Sequence, residues 1–469
     1  MTDASHWNVR LTELAAQSEV PGAVLGIWAD GAETLASSGV LSTATGVETT
    51  ADSVFQVGSI TKLWTVTMIM QLVEERRLSL DTTISDVLPG TRIGTADIGG
   101  RITVRHLLTH TSGLDGDLFT DTGRGDDCVR RYVDELAAAA SVFAPGSAYS
   151  YCNSGFVLAG RVIEALDGRP WEESLRDRLI GPLGLTSTMT LPEEAILRRA
   201  ATGHDHGEPV HIWGLPRSIG PAGTITASPH DLLAFSRLHL DGGITADGKS
   251  LLGPESVAAM QRRQAVIPLF TETDAAIGLG WRLARWAGRL VIGHDGGTIG
   301  QTAFLRIVPD ARIAVCLLTN SYQGHALYQS LLPEVFGSLG IPMPPGPVPM
   351  AADGLGYDAA GHAGHVGYAD HAGHVGYAGY AGRYERTARR YDVSVADGCL
   401  RATAMTTGSL ATLTGPQPDE VMLLPADDTG RNFVCRSRDA EPWTPVSFGE
   451  LGDGTRYLFA SGRIAPRVN

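Results

Sequence analysis

"FQVGSITKLW", residues 55–64, contains one of only two lysines in a chain of 469 residues. The other is Lys249, and arginine supplies the rest of the positive charge. A surface cation can be either residue type. A titratable amine cannot: arginine stays protonated in proteins, whereas a desolvated lysine can lose its proton and act as a base. Lys62 follows Ser59 by three residues. On a helix, positions i and i+3 share a face, so the two side chains would meet. If Ser59 opens that helix, its backbone N–H points at the reacting group, and the helix dipole favours negative charge developing there. The stretch suggests a nucleophilic serine with a lysine base whose burial lowers its pKa. The plainer reading is a helix with an incidental Ser-x-x-Lys, and the stretch alone leaves both open.

The helix is expected to run from Ser59 to about Arg76. Leu63, Trp64, Val66, Met68, Ile69, Met70, Leu72 and Val73 make it apolar nearly all round, the mark of a buried helix. Upstream, Trp7, Leu11, Leu14 and Ala15 recur at helical spacing. "AVLGIWAD" (23–30) and "ETLASSGV" (33–40) flank Asp30-Gly31, a hairpin signal. Residues 80–220 mix short helical stretches with Gly/Pro turns. "RLVIGHDGG" (289–297) and "AFLRIVPDARIAVCLLTN" (303–320) read as strands, the second a hairpin around Pro309-Asp310. A helix is expected around 324–338.

The totals exclude several classes. A chain of this length implies two or more packed units. The net charge of -14 argues against nucleic acid and against an anionic membrane surface as partners. Five scattered cysteines form no Cys-x-x-Cys pair and suggest neither a metal site nor a disulfide framework. "MTDASHWNVRLTELAAQ" shows no signal-peptide features, and no stretch of about 18 apolar residues predicts a membrane span. The expected address is the cytoplasm.

The composition changes after the last expected helix. "IPMPPGPVPM" (341–350) suits an extended linker. Residues 351–382 are low in complexity, with "AGHVGYA" at 363–369 and again at 372–378. His362, His365, His371 and His374 raise the idea of a metal tract. Gly/Ala richness favours a mobile connector instead, and two copies are too few for a solenoid. From about Tyr380, short alternating runs with Gly/Asp turns predict a small antiparallel barrel or sandwich.

Two further stretches could complete a serine–lysine site. "YSYCNSG" (149–155) offers Tyr151, which can shuttle a proton, and Asn153, which can donate to a substrate carbonyl and hold the lysine. Its plain reading is turn chemistry with a core tyrosine. "GHDGG" (293–297) offers His294 to bind or protonate a substrate group, Gly296 to let a substrate backbone approach, and the N–H of Gly297 to pair with that of Ser59 as an oxyanion hole. Its plain reading is a Gly-rich turn with a solvated histidine.

Taken together, Ser59–Lys62, Tyr151–Asn153 and His294–Gly296 resemble the Ser-x-x-Lys, Tyr-x-Asn and His-x-Gly signature of the serine β-lactamase and penicillin-binding-protein superfamily. "ITVRHLLTHTSGL" (102–114) and "GPAGTITASPHDLLAF" (220–235) are also similar to segments of that family, and the resemblance covers about 5–340. It implies an α/β fold, with an antiparallel sheet flanked by helices and a mainly helical subdomain, followed by a small antiparallel β-barrel domain. The expected units are a catalytic domain at 1–345, a Pro/Gly/Ala/His-rich linker at 346–379 and a lipocalin-like β domain at 380–469. No cofactor and no metal are implied: His106 and His110 lack the glutamate of a His-Glu-x-x-His site.

The resemblance implies two-step acyl transfer. Lys62, with Tyr151, takes the proton of Ser59, which attacks an activated carbonyl; the N–H groups of Ser59 and Gly297 hold the oxyanion. Tyr151 protonates the leaving group, and Asn153 positions the substrate. His294 stands where β-lactamases commonly place a lysine, which puts recognition of a β-lactam carboxylate in doubt. The missing export signal and the β unit fit two cytoplasmic subgroups, the β-lactamase-like esterases and the penicillin-binding-protein-type thioesterases, of which the second is preferred. Those thioesterases are stand-alone enzymes that release nonribosomal peptides by head-to-tail closure. The expected substrate is a linear peptidyl thioester or ester with a D-residue at the acylating end, with a peptidyl carrier protein as a candidate donor. Arg456, in "DGTRYLFASG", is a candidate to bind the chain end of the incoming residue. The alternatives are an esterase or D-amino-acid peptidase acting on small substrates, and a non-catalytic binding module on the same fold.

Overall fold

The computed structural model describes residues 3–271, 274–350, 377–396, 399–416, 418–438 and 441–468. Strands β1 (Gly22–Ala29) and β2 (Ala32–Gly39) form the expected hairpin. Asp30 and Gly31 both adopt positive φ, 53° and 75°, the turn that Asp-Gly favours because its twist matches that of the strands. β3 (Ala265–Val266), β4 (Ala276–Ile277), β5 (Arg282–Trp286), β6 (Arg289–Gly297), β7 (Thr302–Val308) and β8 (Ile313–Thr319) complete an eight-stranded antiparallel sheet. Its order is β2-β1-β8-β7-β6-β5-β4-β3.

Alternation along the strands feeds two cores. Ala23, Leu25 and Ile27 face α1 (Ala4–Gln17) and α5 (Gly324–Ser338). Val24, Ile292, Leu305 and Cys316 face the opposite side, where α2 (Thr61–Glu74), α3 (Asn153–Asp167) and α4 (Pro229–Leu240) pack. Such alternation is what a sheet buried on both faces requires. α2 is buried on nearly every side, as its composition predicts.

The second unit is a closed eight-stranded antiparallel barrel. It comprises β9 (Gly382–Arg386), β10 (Arg389–Ala396), β11 (Cys399–Thr406), β12 (Pro418–Pro425), β13 (Asn432–Cys435), β14 (Thr444–Glu450), β15 (Arg456–Ala460) and β16 (Arg463–Val468), with the short helix α6 (Gly408–Thr414) after β11. Pairing of Tyr384 with Arg467 closes it. Tyr384, Leu400, Phe433, Phe448 and Leu458 fill the interior. The proline-rich run 341–350 forms no helix or strand, and Met350 N–H donates to Pro425 O, 2.8 Å away. The histidine-containing repeat lies outside the described residues apart from its end at Tyr377 and Ala378.

β15 divides its side chains between two cores. Leu458 and Ala460 point into the barrel, whereas Phe459, with Ile464 of β16, packs outward on Phe143, Tyr149 and Ile277 of the first unit. This seam brings the β15–β16 turn, Ser461 and Gly462, against residues 150–151. Tyr151 N–H donates to Gly462 O at 2.9 Å, and Ile464 N–H donates to Ser150 Oγ at 3.1 Å.

Candidate active site

Ser59 lies in a short 3₁₀ turn, Gly58–Ile60, that leads directly into α2. Gly58 is required there twice over. Its φ is 52°, and a Cβ would fall 2.7 Å from Gly297 N. Lys62, one turn on, is fully buried. Its Nζ lies 3.0 Å from Ser59 Oγ and donates to Ala222 O at 2.7 Å. That carbonyl is brought in by a close approach of α3 to the helical turn Gly220–Gly223. A Cβ on Gly160 of α3 would fall 2.1 Å from Pro221 Cγ, so only glycine permits the contact. Burial pushes the Lys62 amine well below the usual lysine range, and the Arg463 guanidinium adds to the shift while Asp117 opposes it. A shift in this direction favours the uncharged amine, the state a base needs.

Tyr151 stands across from Lys62, whose Nζ is 5.0 Å from the phenol ring centroid. His110 stacks on the same ring at 4.1 Å, and its Nδ1 accepts from the N–H of Cys152 at 3.0 Å. Burial pushes the Tyr151 phenol up, and the neighbouring Ser59 hydroxyl partly offsets this. Yet no atom completes a well-formed hydrogen bond to the buried Oη. A hydroxyl left open beside a nucleophile is placed to exchange a proton with a bound group.

Asn153 opens α3, but it does not hold the lysine. Its Nδ2 donates to Asp117 Oδ1 at 2.7 Å, and Ala222 O occupies the lysine instead. The reason is Asp117, a buried carboxylate that needs donors. Asp117 also receives Arg386 at 2.6 Å and Arg463 at 2.5 Å, both from the barrel. Burial pushes its carboxyl up, but the two guanidinium groups outweigh this and hold it below the ordinary range.

His294 is buried on β6, its ring centroid 6.1 Å from that of Tyr151. Nδ1 lies 2.6 Å from Asp295 O. A carbonyl can only accept, so Nδ1 carries the hydrogen and Nε2 presents a lone pair. Nε2 is buried and has no hydrogen-bond partner among the described residues. Burial, with the neighbouring Lys62, pushes the imidazole down to about 3. His294 is therefore an acceptor near neutral pH, not the proton donor its position suggested.

Gly296 and Gly297 meet the start of α2. A Cβ on Gly296 would fall 1.9 Å from Val57 O and 3.2 Å from Ser59 N. Thr298 N–H donates to Gln301 O at 3.0 Å across the turn that leads into β7. Ladder alternation then turns the Gly297 N–H the other way, to the side where Gly58 and Ser59 stand. β5 begins opposite Gly293, so this edge of β6 is open beyond it. The two amides expected to form an oxyanion hole are thus brought together.

Arg456 is not. It lies half-exposed at the far end of β15, with Glu450 4.0 Å away. The strand runs about 13 Å from it to Ala460, and the turn at that opposite end, Ser461 and Gly462, is what meets the site. The barrel residue that does reach the site is Arg463, whose Cζ lies 4.6 Å from the Tyr151 ring centroid. Its place after the Ser-Gly turn of "ASGR" was the available signal. Asp117, His110 and Arg386 carried none, since their partners are remote in sequence. His106 Nδ1 accepts from Thr103 N–H at 3.2 Å, so this ring and that of His110 are both engaged by backbone.

A family model described as Beta-lactamase matches residues 9–336. The chain belongs to this β-lactamase family. Among relatives of this β-lactamase-family protein, penicillin-binding protein 4 of Amycolatopsis lactamdurans is 43% identical over 351 residues, 73% of this chain and 92% of that protein. The crystal structure of SurE is 27% identical with a TM-score of 0.74 and covers 99% of both chains, so the likeness includes the barrel. SurE has also been solved with D-Leu. D-amino acid amidase from Ochrobactrum anthropi SV3, complexed with D-phenylalanine, is 25% identical with a TM-score of 0.58, over 68% of this chain and 92% of that one. The family is one of serine hydrolases, and this member is an enzyme of that class. Among the described residues, no helix is long and apolar enough to cross a membrane.

Proposed function

We propose that this β-lactamase-family enzyme is a serine acyltransferase that loads a peptidyl thioester or ester onto Ser59 and releases it by attack of the peptide's own amino terminus. Lys62 takes the Ser59 proton as the acyl bond forms, and Tyr151 passes a proton to the leaving group. The amides of Ser59 and Gly297 hold the oxyanion, and Asn153, fixed by Asp117, positions the substrate. In the second step the amine replaces Ser59 at the carbonyl, Oγ recovers a proton through Tyr151 and Lys62, and a cyclic amide leaves.

The observation that carries this reading is the seating of the barrel turn on Tyr151. In this reading the turn serves as a wall against water on that side of Tyr151. The carboxylate at the site, Asp117, is taken up by Asn153 and two arginines, which leaves it poorly placed to activate water. The lone pair on His294 Nε2 suits a donor such as an amine. Holding that amine in place is worth effective molarities of about 10⁵ M or more. The complex of the similar SurE with D-Leu supports a D-configured residue at the acylating end. A cytoplasmic setting and a carrier-bound donor belong to the same proposal.

The test is mass spectrometry of a linear peptide thioester with a D-residue at its carbonyl end, beside a Ser59→Ala control. Cyclic product lost in the control is the expected result. Linear acid alone would favour the second reading, a hydrolase of small esters or D-amino-acid amides, which the amidase likeness supports.

A further inference from the structure

Outside the nucleophile and its base, buried Asp117 gathers the largely shielded guanidinium groups of Arg386 and Arg463. Asp117 belongs to the catalytic unit, and both arginines belong to the barrel. A simple strut between two units would lie at the rim. This cluster lies against the reacting groups. Arg463 Nε is 2.5 Å from Asp117 Oδ2, and its Nη2 donates to Oδ1 at 3.2 Å. With its charge fixed in this way, the Arg463 guanidinium lies 4.6 Å from the centroid of the Tyr151 ring. Lys62 Nζ lies 5.0 Å from the same centroid.

We infer that Arg463 is a positioning residue that keeps the Ser59–Lys62–Tyr151 centre in its basic form, making the barrel a working part of that centre. The inference rests on the serine acyl-transfer reading. A fixed positive charge near a buried amine disfavours a second positive charge there. The same charge favours negative charge on the Tyr151 oxygen, which makes the phenol a readier proton donor. The directions of both shifts agree: Arg463 lowers Lys62 and lowers Tyr151. The other groups facing this pair are Ser59 from the start of α2, Asp117 and His110 from the segment before α3, Tyr149 and Cys152 beside Tyr151, and His294 from β6. Among these, Asp117 favours a charged lysine. Without Arg463, Asp117 would act on Lys62 less opposed, and the two effects of the loss would add.

The experiment is the rate of covalent labelling of Ser59 by a fluorophosphonate across pH 5–10. Ser59 Oγ bonds to phosphorus, fluoride leaves, and the serine proton passes to Lys62. Wild type, Arg463→Gln, Arg463→Lys and Asp117→Asn are compared as full-length chains, with folding checked by thermal melting. The expected result is an acid limb moved up by about one pH unit or more in the glutamine variant. In the lysine variant, which keeps the charge, the limb stays near its wild-type position. If the glutamine variant fails to fold, Asp117→Asn carries the test, and its limb must move down. A limb unmoved while rates fall at every pH would reduce Arg463 to a strut and overturn the inference. Failure of the wild type to label would instead remove the serine acyl-transfer reading itself.

Discussion

The backbone N–H of Tyr151 donates to the carbonyl of Gly462, 2.9 Å away. A residue that faces the nucleophile is thus pinned by a turn of the neighbouring unit. Phe459, almost wholly buried, is the larger of the two fully buried barrel side chains in the apolar seam beside this bond. Phe459→Ala should cost about 3–5 kcal/mol of stability. On a linear peptide thioester it should also raise the share of linear acid over cyclic product. An unchanged product ratio in a destabilised variant would mean that the barrel has no part in excluding water.

Lys62→Arg should lower Ser59 labelling and ester turnover by about 10²-fold or more, the usual share of a general base. The guanidinium keeps the charge and loses the basicity. Labelling within a few-fold of wild type would show that Lys62 is not the base.

Adjacent glycines should behave oppositely in thermal melts. A methyl at Gly296 meets Val57 O at 1.9 Å, whereas one at Gly297 meets nothing within 4 Å. Gly296→Ala should therefore lower Tm sharply, and Gly297→Ala should leave Tm near that of the wild type. Equal Tm values would contradict the close abutment of β6 on the start of α2.

Burial pushes Glu164, near the end of α3, up to about 7. Its carboxyl stays protonated in the folded chain at pH values where the unfolded chain has released the proton. The stabilisation is full below the ordinary carboxylate pKa and is lost as pH rises through about 7. Glu164→Gln keeps an acceptor for Trp171 N–H, 3.2 Å from Oε1, and removes the titration. Melts at pH 5, 6, 7 and 8 should show the variant gaining on the wild type as pH rises. A constant offset would indicate an ordinary surface-like pKa.

What could be read before the structure was what neighbouring residues decide. Ser59 and Lys62 lie one turn apart on a helix, and the Asp30-Gly31 turn is a dipeptide preference. β15 and β16 alternate as a barrel strand pair should. The misreadings concern contacts between distant segments. Asn153 was expected to hold Lys62, but Asp117 claims its amide and Ala222 O takes the lysine. Arg456 was the barrel arginine expected at the site, but it is Arg463 that reaches it. Which end of β15 meets the catalytic unit depends on how Phe459 and Ile464 pack across the seam, and no local pattern encodes that. Of the two roles read for His294, binding or protonating a substrate group, only the second is at odds with the structure. The neutral form of His294 follows from burial and from the Asp295 carbonyl, and burial of one polar side chain is set by the whole fold.

The pairing of Asp117 with Arg463 joins residues 346 positions apart. Ribosomes add about 5–20 residues per second, so roughly 20–70 s separates the synthesis of the two partners. During that interval the nascent chain already carries its serine and lysine, while Asp117 waits without its guanidinium. Under the role inferred for Arg463, the serine–lysine pair would reach its full basicity only once the barrel has been made and folded.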